Sequence, residues 1–360
     1  MELLILNTKF ETVDVLDVFE SLIWTDRFFR CGDFEIYTTT DIEIVQKLKL
    51  DYYLQNEASD HMMIIESAQI KADVENGSKL IVKGRSLESI LDRRIIWNQT
   101  ILDGYLEVQI EKLLNENVIN PTISVRKISN FRFEKSGDPF IEGLKIQAQY
   151  TGDNLYDVIC DICKESKIGF KVIYEEDTNF FVFKLYSGTN RSYSQDKNPF
   201  VVFSPEFNNI INTDYVEGKK DLKTVALVAG EGEGSARRKV ITGKNEDTEL
   251  IRRELFVDAR DISSSLPNGG TLSSSQYDAQ LIQRGNERLE ENKIQKAFNG
   301  QVETTQMYRY DEHFFMGDIV QLENEFGMAD QSRVIEFIFS DSRDGGSENY
   351  PTFEVVEETV

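Results

Sequence analysis

The sequence predicts a strand-rich α+β fold spread over more than one domain. Three observations carry this. Short strand-like segments with closely spaced turn signals fill the first hundred residues and the region after residue 299. The apolar spacing switches to a helical period at Asp103. A serine- and glycine-rich connector, DISSSLPNGGTLSSS at 261–275, precedes a polar helix. At 360 residues, 40% hydrophobic, the chain has length for two to four domains and enough apolar material to build their cores.

The elements follow in order. LLILNT, the stretch around SLIWTDRFF, and DFEIYTT read as strands, and Thr40 and Asp41 can start a short helix, DIEIVQKL, before a strand at DYYLQ. Asn76-Gly77 is the dipeptide that best accepts the positive φ angles of a tight hairpin turn, so residues 62–73 and 78–84 read as its two strands. Gly84 breaks the second strand. Ser86 can then cap a short helix with Glu88 in the first turn, where the dipole favours it, and Leu87, Ile90 and Leu91 make its apolar face.

Further on, Leu106, Ile110, Leu113, Leu114 and Val118 form one stripe of a helix that stops near Asn120-Pro121. A second helix runs from about Asp153 to Lys167, with Leu155, Val158, Ile159, Ile162 and Cys163 inward. FKVIY and FFVFKLY form a hairpin across EEDTN. Strands return at FVVFS, NIINTDYVEG, LKTVALVAGEG and ARRKVITG. The connector and a helix over about 276–297 come next, then GQVETTQMY, GDIVQLEN, SRVIEFIFSDS and PTFEVVE. The expected domains are a β body at 1–100, an α+β domain at 101–200, a second β body from 201–245 and 299–360, and a helix-containing insertion at 246–298.

Composition excludes some functions. Forty Lys and Arg against 63 Asp and Glu leave a net charge of −23, which repels a phosphate backbone on average. Lys83, Arg85, Arg93 and Arg94 cluster in LIVKGRSLESILDRR, but a strand-to-helix corner accounts for them without nucleic acid. The start, MELLILNTKFETVDV, has no basic n-region and only a short apolar run, and no run in the chain approaches the roughly 18 residues of a membrane helix. Three cysteines, Cys31, Cys160 and Cys163, make no disulfide framework, so a soluble chain from a reducing compartment is expected.

Chemical motifs are sparse. Cys160 and Cys163 form a CxxC that falls mid-helix, away from the N-terminus that activates redox thiols, and no further ligands complete a zinc site, so core packing is expected. His61 and His313 belong to no HExxH motif and read as polar loop or strand residues. AGEGEGSARR at 229–238 has glycines at 230, 232 and 234, but Glu231 and Glu233 would oppose a phosphate, so a turn is expected. A carboxylate pair for glycoside hydrolysis is not distinguishable among so many acidic residues. No residue is assigned a catalytic, cofactor-binding or metal-binding role, and no cofactor is expected.

KLIVKGRSLESILDRRI at 79–95, TVALVAGEGEGSARR at 224–238, and GDIVQLENEFG with SRVIEF over 317–337, in that order, resemble the hub proteins of long-tailed bacteriophages and prophages, the siphovirus-type tail proteins. These are similar to the baseplate hub of contractile phages and to the N-terminal module of type VI secretion spikes. The resemblance implies a homotrimer in which the two β bodies are hub-type barrels forming a ring of pseudo-sixfold symmetry, with the α+β domain and the insertion at its periphery. It implies as partners a distal tail protein or tail-tube ring, a tape measure protein, and tip or receptor-binding proteins. Phage DNA would pass through without specific binding, and an acidic channel would keep it from sticking. The expected place is the virion tail tip or baseplate, after synthesis in the host bacterial cytoplasm. Larger members of the class carry a C-terminal enzyme or receptor-binding extension. With the chain stopping at Val360, other chains are expected to supply the tip, and a non-enzymatic role is expected here. The competing expectations are a tail-associated cell-wall hydrolase and a receptor-binding module.

Overall fold

Alternation writes the first strands. In DFEIYTT, Phe34, Ile36 and Thr38 are buried while the residues between them face outward, the period of a pleated strand with one covered face. The computed structural model describes residues 1–73, 77–266, 269–302, 307–343 and 345–356. Its first strands are β1 (Leu3–Leu6), β2 (Thr12–Leu16), β3 (Ser21–Arg27) and β4 (Asp33–Thr39). Helix α1 (Ile42–Lys47) follows, and the Asp41 side chain accepts the Glu43 N–H as its cap. Then come β5 (Tyr53–Asn56), β6 (Met62–Asp73) and β7 (Gly77–Ser86). The last two pair antiparallel as the expected hairpin. Asn76 of its turn lies outside the described residues, as do residues 267–268 of the connector and 303–306 of the late β region.

A 3₁₀ helix at Leu87–Arg93 leads to β8 (Thr100–Tyr105) and α2 (Leu106–Leu114), which continues as a π turn over Asn115–Ile119 before Pro121. Next are β9 (Phe131–Glu134), α3 (Pro139–Gly143), β10 (Lys145–Tyr150), α4 (Leu155–Glu165), β11 (Gly169–Glu175), β12 (Phe180–Tyr186), β13 (Val202–Phe203) and β14 (Ile210–Gly218). The chain continues through β15 (Val225–Ala229), β16 (Lys239–Gly243), β17 (Glu254–Asp258) and α5 (Ser274–Glu291). It ends with β18 (Gln295–Val302), β19 (Ile319–Glu323), β20 (Ala329–Ser342) and β21 (Gly346–Val355).

The chain divides into two units. The first takes Met1–Ile90, Gly169–Tyr215 and Ala297–Val360, and the second takes Leu91–Ile168 and Val216–Lys296. In the first unit the strands run β13-β19-β20-β3-β4-β7-β6-β5-β1-β2, with β21 also on β20. The β3–β20 pairing therefore joins strands of the first hundred residues to β13, β19, β20 and β21 in one sheet. Its core is aromatic and aliphatic, built around Trp24, Phe28, Phe203, Phe298, Phe314 and their neighbours. Phe28 sits between two glycines: a Cβ at Gly169 or Gly317 would lie 2.4 or 2.3 Å from its ring. Gly317, at φ +88°, also holds a backbone conformation that side chains disfavour.

In the second unit β8 pairs antiparallel with β10, and β15 lies between β16 (antiparallel) and β17 (parallel). Helix α5, opened by a Ser273–Gln276 capping box, lays Tyr277, Leu281 and Leu289 on Ala226, Val228 and Val257 of that sheet. Gly285 allows this close approach, since a Cβ there would stand 2.5 Å from Thr242 Cγ2 and 2.6 Å from Val228 Cγ2.

The architecture is the expected strand-rich α+β fold, but its partition differs from the expected boundaries. Residues 169–200 join the first unit, because β11 and β12 pack beside its core instead of completing a separate 101–200 domain. Residues 216–245 join the second, because β15 and β16 find their third strand in β17, which lies within the expected insertion. Residues 91–100 go with the second unit as well.

Candidate functional site

The basic corner at 83–94 is held by carboxylates and carbonyls of the chain itself. Lys83 pairs with Glu35 at 2.9 Å, Arg85 grips Glu66 through Nε and Nη2 at 2.8 and 2.9 Å, and Arg94 Nε donates to the Arg126 carbonyl at 3.0 Å. Arg93 ends the short helix in the position its dipole favours. The corner is trim around a strand-to-helix turn, as expected.

Glu88 lies in the first turn of the short helix as expected, and it is also fully buried, brought by the 3₁₀ helix against β11 and the start of β6. Its Oε1 accepts from the Val172 N–H at 2.8 Å and from His61 Nδ1 at 3.1 Å, and Oε2 accepts from the Ser86 hydroxyl. Ser86 in turn accepts the Gly32 N–H at 2.7 Å instead of capping the helix. His61, 5% exposed, lies in the loop just before β6 as expected, but it is an interior residue.

Asp26 completes the cluster. It is buried on β3, where its oxygens accept from Trp24 Nε1 at 3.0 Å and Ser59 Oγ at 2.7 Å. Burial pushes its carboxyl up, against the opposing pull of His61. Burial also disfavours the His61 cation, but the charges of Glu88 and Asp26 outweigh it and raise the imidazole to about 9. For Glu88, burial works upward and is overcome by the His61 charge and three hydrogen bonds, leaving it below its ordinary value. The His61 ring thus bonds Glu88, while Ser59 links the His61 backbone N–H to Asp26.

The cluster opens on a cleft of about 290 Å³ lined by Ser59, Asp60, Lys171, Tyr310, Asp311 and Asp318 among others. Lys171 pairs with Asp60 at 2.8 Å and holds its carboxyl low. Asp311, at φ +64°, is raised to about 6 by burial and by the charges of Asp60 and Asp26. Asp318 anchors the rim: it accepts from the Thr189 and Phe315 N–H groups at 2.6 and 3.1 Å and from Arg191 Nε at 2.6 Å. Chemically, Asp60 and Asp311 line one cleft and their surroundings separate their proton affinities, one of the conditions for an acid and a base. Among the described residues no group of three or more His, Cys, Asp or Glu side chains could hold a metal ion.

The second unit has its own buried acids. Tyr150 donates to Glu287 Oε1 at 2.6 Å, and Gln283 donates to Glu165. Burial, with the Glu287 charge, raises Glu165 to about 8, and burial raises Glu287. Cys160 and Cys163 lie buried on the inner side of α4, the packing role expected of them, and burial pushes the Cys163 thiol well up. Cys31 is buried in the first unit. His313 is an exposed loop residue whose Nδ1 accepts the Arg309 N–H at 3.1 Å. The 229–238 segment turns from β15 to β16 as expected. Its Glu231 accepts the Ser264 N–H and hydroxyl at 2.9 and 2.6 Å, so the carboxylate pins the connector.

Sequence reasoning missed Asp26, Glu88 and Asp311 because burial by distant elements creates their chemistry. A signal existed for two of them. Asp26 interrupts the apolar run LIWTDRFF, and Glu88 shares the i, i+3 face of Leu91 in its short helix.

Among the described residues no helix is long and apolar enough to cross a membrane. No curated protein matches the chain. Three solved structures share its fold across nearly their whole length. The 43 kDa tail protein of prophage MuSo2 from Shewanella oneidensis superposes with a TM-score of 0.59 at 9% identity, covering 99% of this chain and 98% of that one. The tail protein from Neisseria meningitidis MC58 gives 0.55 at 15% identity, with coverages of 98% and 95%. Prophage tail protein gp18 from Listeria monocytogenes EGD-e gives 0.54 at 12% identity, with coverages of 100% and 96%. The model of the family described as siphovirus ReqiPepy6 Gp37-like protein matches residues 2–353, and the chain belongs to that family of phage tail proteins.

Proposed function

We propose that the chain is a structural hub of a phage or prophage tail. The observation that supports this best is the family match over residues 2–353 together with a fold shared end to end with prophage tail proteins. The hub is a homotrimer whose long strand path curls into two hub-type barrels per chain, one from the first hundred residues and one from 201–215 with 299–360. Three chains then make a ring of pseudo-sixfold symmetry. A hexameric distal tail or tube ring and the tape measure protein meet one side, and a threefold tip or receptor-binding protein meets the other. The ring sits at the virion tail tip or baseplate and passes DNA without binding it. Net charge −23 suits that passage, because phosphates gain affinity where cations release their counterions and an acidic wall offers none.

Light scattering with negative-stain imaging of the purified chain tests the proposal. Rings of three 41.5 kDa chains, about 125 kDa, are the expected result. A single-chain mass at high concentration and no rings overturns it for the isolated protein.

One observation favours a second reading, a cell-wall hydrolase: Asp60 and Asp311 share a cleft with separated proton affinities. Turnover on purified peptidoglycan that vanishes in a folded Asp311→Asn variant would establish it. The structural reading expects no turnover.

A further inference from the structure

The sheet of β15, β16 and β17 is covered on one face only. Its inner residues Ala226, Val228 and Val257 lie under α5. On the other face the register places Leu227 beside Ile241 on one side and beside Phe256 on the other. These three are 37, 49 and 58% exposed, a continuous apolar row across three strands rather than scattered single residues. Arg237 lies 5.7 Å from the Phe256 ring centroid and pairs with Asp258, and Arg252 pairs with Glu254. In the loop from β16 to β17, Leu250 and Ile251 are also exposed. An apolar centre with a charged rim is the anatomy of an association surface.

Charge says what covers it. Residues 237–260 carry seven Lys and Arg against five Asp and Glu, a net of +2, while the rest of the chain has 33 against 58, a net of −25. Arg237, Arg238, Arg252 and Arg260 pair with Asp258, Asp278 and Glu254, which leaves the surface mildly positive on an acidic molecule, and another copy of the chain offers the complementary sign. A matching patch lies on the first unit. β2 ends the strand path of the long sheet, and Leu4 of β1 faces Val15 of β2 across that pair. Leu4, Val13, Val15 and Val18 are all exposed, while Leu3, Ile5 and Leu16 fill the core behind them. Residues 1–20 hold five acidic residues, Glu2, Glu11, Asp14, Asp17 and Glu20, against Lys9, with Asp14 and Glu20 paired to Lys47 and Lys79.

We propose that the Ile241–Leu227–Phe256 face of one copy docks on the Leu4–Val15 edge of a second copy. The contact is head-to-tail, since the two patches differ, and its repetition closes a ring if the rotation allows. It covers both the apolar row and an edge strand that would otherwise template aggregation. This inference rests on the self-assembling hub reading and names the surfaces that would hold it together.

The test uses the full chain at about 20 µM, an association-sensitive range. Leu227→Asp and Val15→Asp each reduce the mass from about 125 kDa to 41.5 kDa while circular dichroism stays unchanged. Because either variant could misfold, a second measurement is independent of them: a Val15→Cys chain mixed with a heavier, tagged Leu227→Cys chain gives a mixed-mass disulfide band on mild oxidation, and neither chain gives it with wild type. If the wild type assembles while the variants keep its mass and no mixed band forms, the inference is overturned and the hub reading survives. A wild type that stays at 41.5 kDa overturns both for the isolated chain.

Discussion

Replacing the charged cluster of the first unit by neutral amides of similar shape, Asp26→Asn with His61→Gln and Glu88→Gln, makes the protein's stability less dependent on pH. In the folded chain the His61 imidazole is raised from 6.5 to about 9 by the charges of Glu88 and Asp26, which overcome the cost of burial. The folded state therefore favours the imidazolium over its unfolded counterpart. That contribution is whole below pH 6.5, declines as pH rises through about 9, and is absent above. A displacement of this size corresponds to about 3 kcal/mol. Asp26, raised by burial, acts in the same sense: its folded state holds a proton longer, so its stabilisation also fades as pH rises. Glu88, held low, contributes fully above its ordinary value and is constant from pH 6 to 10. Urea unfolding of wild type and triple variant at half-unit steps should show their difference shrinking by at least about 3 kcal/mol between pH 6 and 10. The chain has two histidines, so ¹H–¹⁵N spectra of the rings give a direct check, with His61 still protonated at pH 8. A neutral ring at pH 7.5, or a stability difference flat across that range, would refute the account.

Three other outcomes follow from the packing and the buried acids. Gly317→Ala forces a Cβ to 2.3 Å from Phe28 at φ +88°, and thermal or urea unfolding should show a loss of at least about 2 kcal/mol. Gly285→Ala tests whether α5 is held by propensity or by approach. On a free helix it would gain about 1 kcal/mol, whereas the Thr242 and Val228 methyls here should turn the sign to a net loss, so a raised melting temperature would count against the packing described. Glu165→Gln should leave stability unchanged near pH 4.5 and raise it at pH 9. The wild-type carboxyl, raised to about 8 by burial and by the Glu287 charge, costs stability as pH rises from its ordinary value through about 8, and equal stabilities at pH 9 would dismiss that cost.

Elements with local signatures were legible in the sequence. The 62–86 hairpin, the helix capped by Asp41, the stripe of α2 and the FKVIY–FFVFKLY hairpin each depend on neighbours a few residues away, and each is present. β2, β8 and β17 are among the strands that were missed. Each is five or six residues long and owes its existence to a strand elsewhere: Thr12–Leu16 to β1, Thr100–Tyr105 to β10, and Glu254–Asp258 to β15. The same reason explains the partition. Nothing in LKTVALVAGEG says whether its third strand lies at 254 or beyond 299, since parallel pairing leaves no turn signal. The polar cluster was illegible for a further reason: Glu88 looks like ordinary first-turn charge until β11 supplies the Val172 N–H, 84 residues away, that makes its burial affordable.

The pairing of β3 with β20 has a consequence for how the protein is made. Arg27 on β3 meets Glu336 on β20 at 2.6 Å across 309 residues of chain. At roughly 5–20 residues per second, a ribosome delivers that partner about 15–60 seconds after β3 emerges. Through that interval β1 to β7 can pair among themselves, but the β3 backbone donors and acceptors on the far side have no strand to meet. Crowded nascent chains would expose that edge to one another, so the step most vulnerable to error is the wait for the last strands, and chaperone demand should fall when those strands are supplied early by circular permutation.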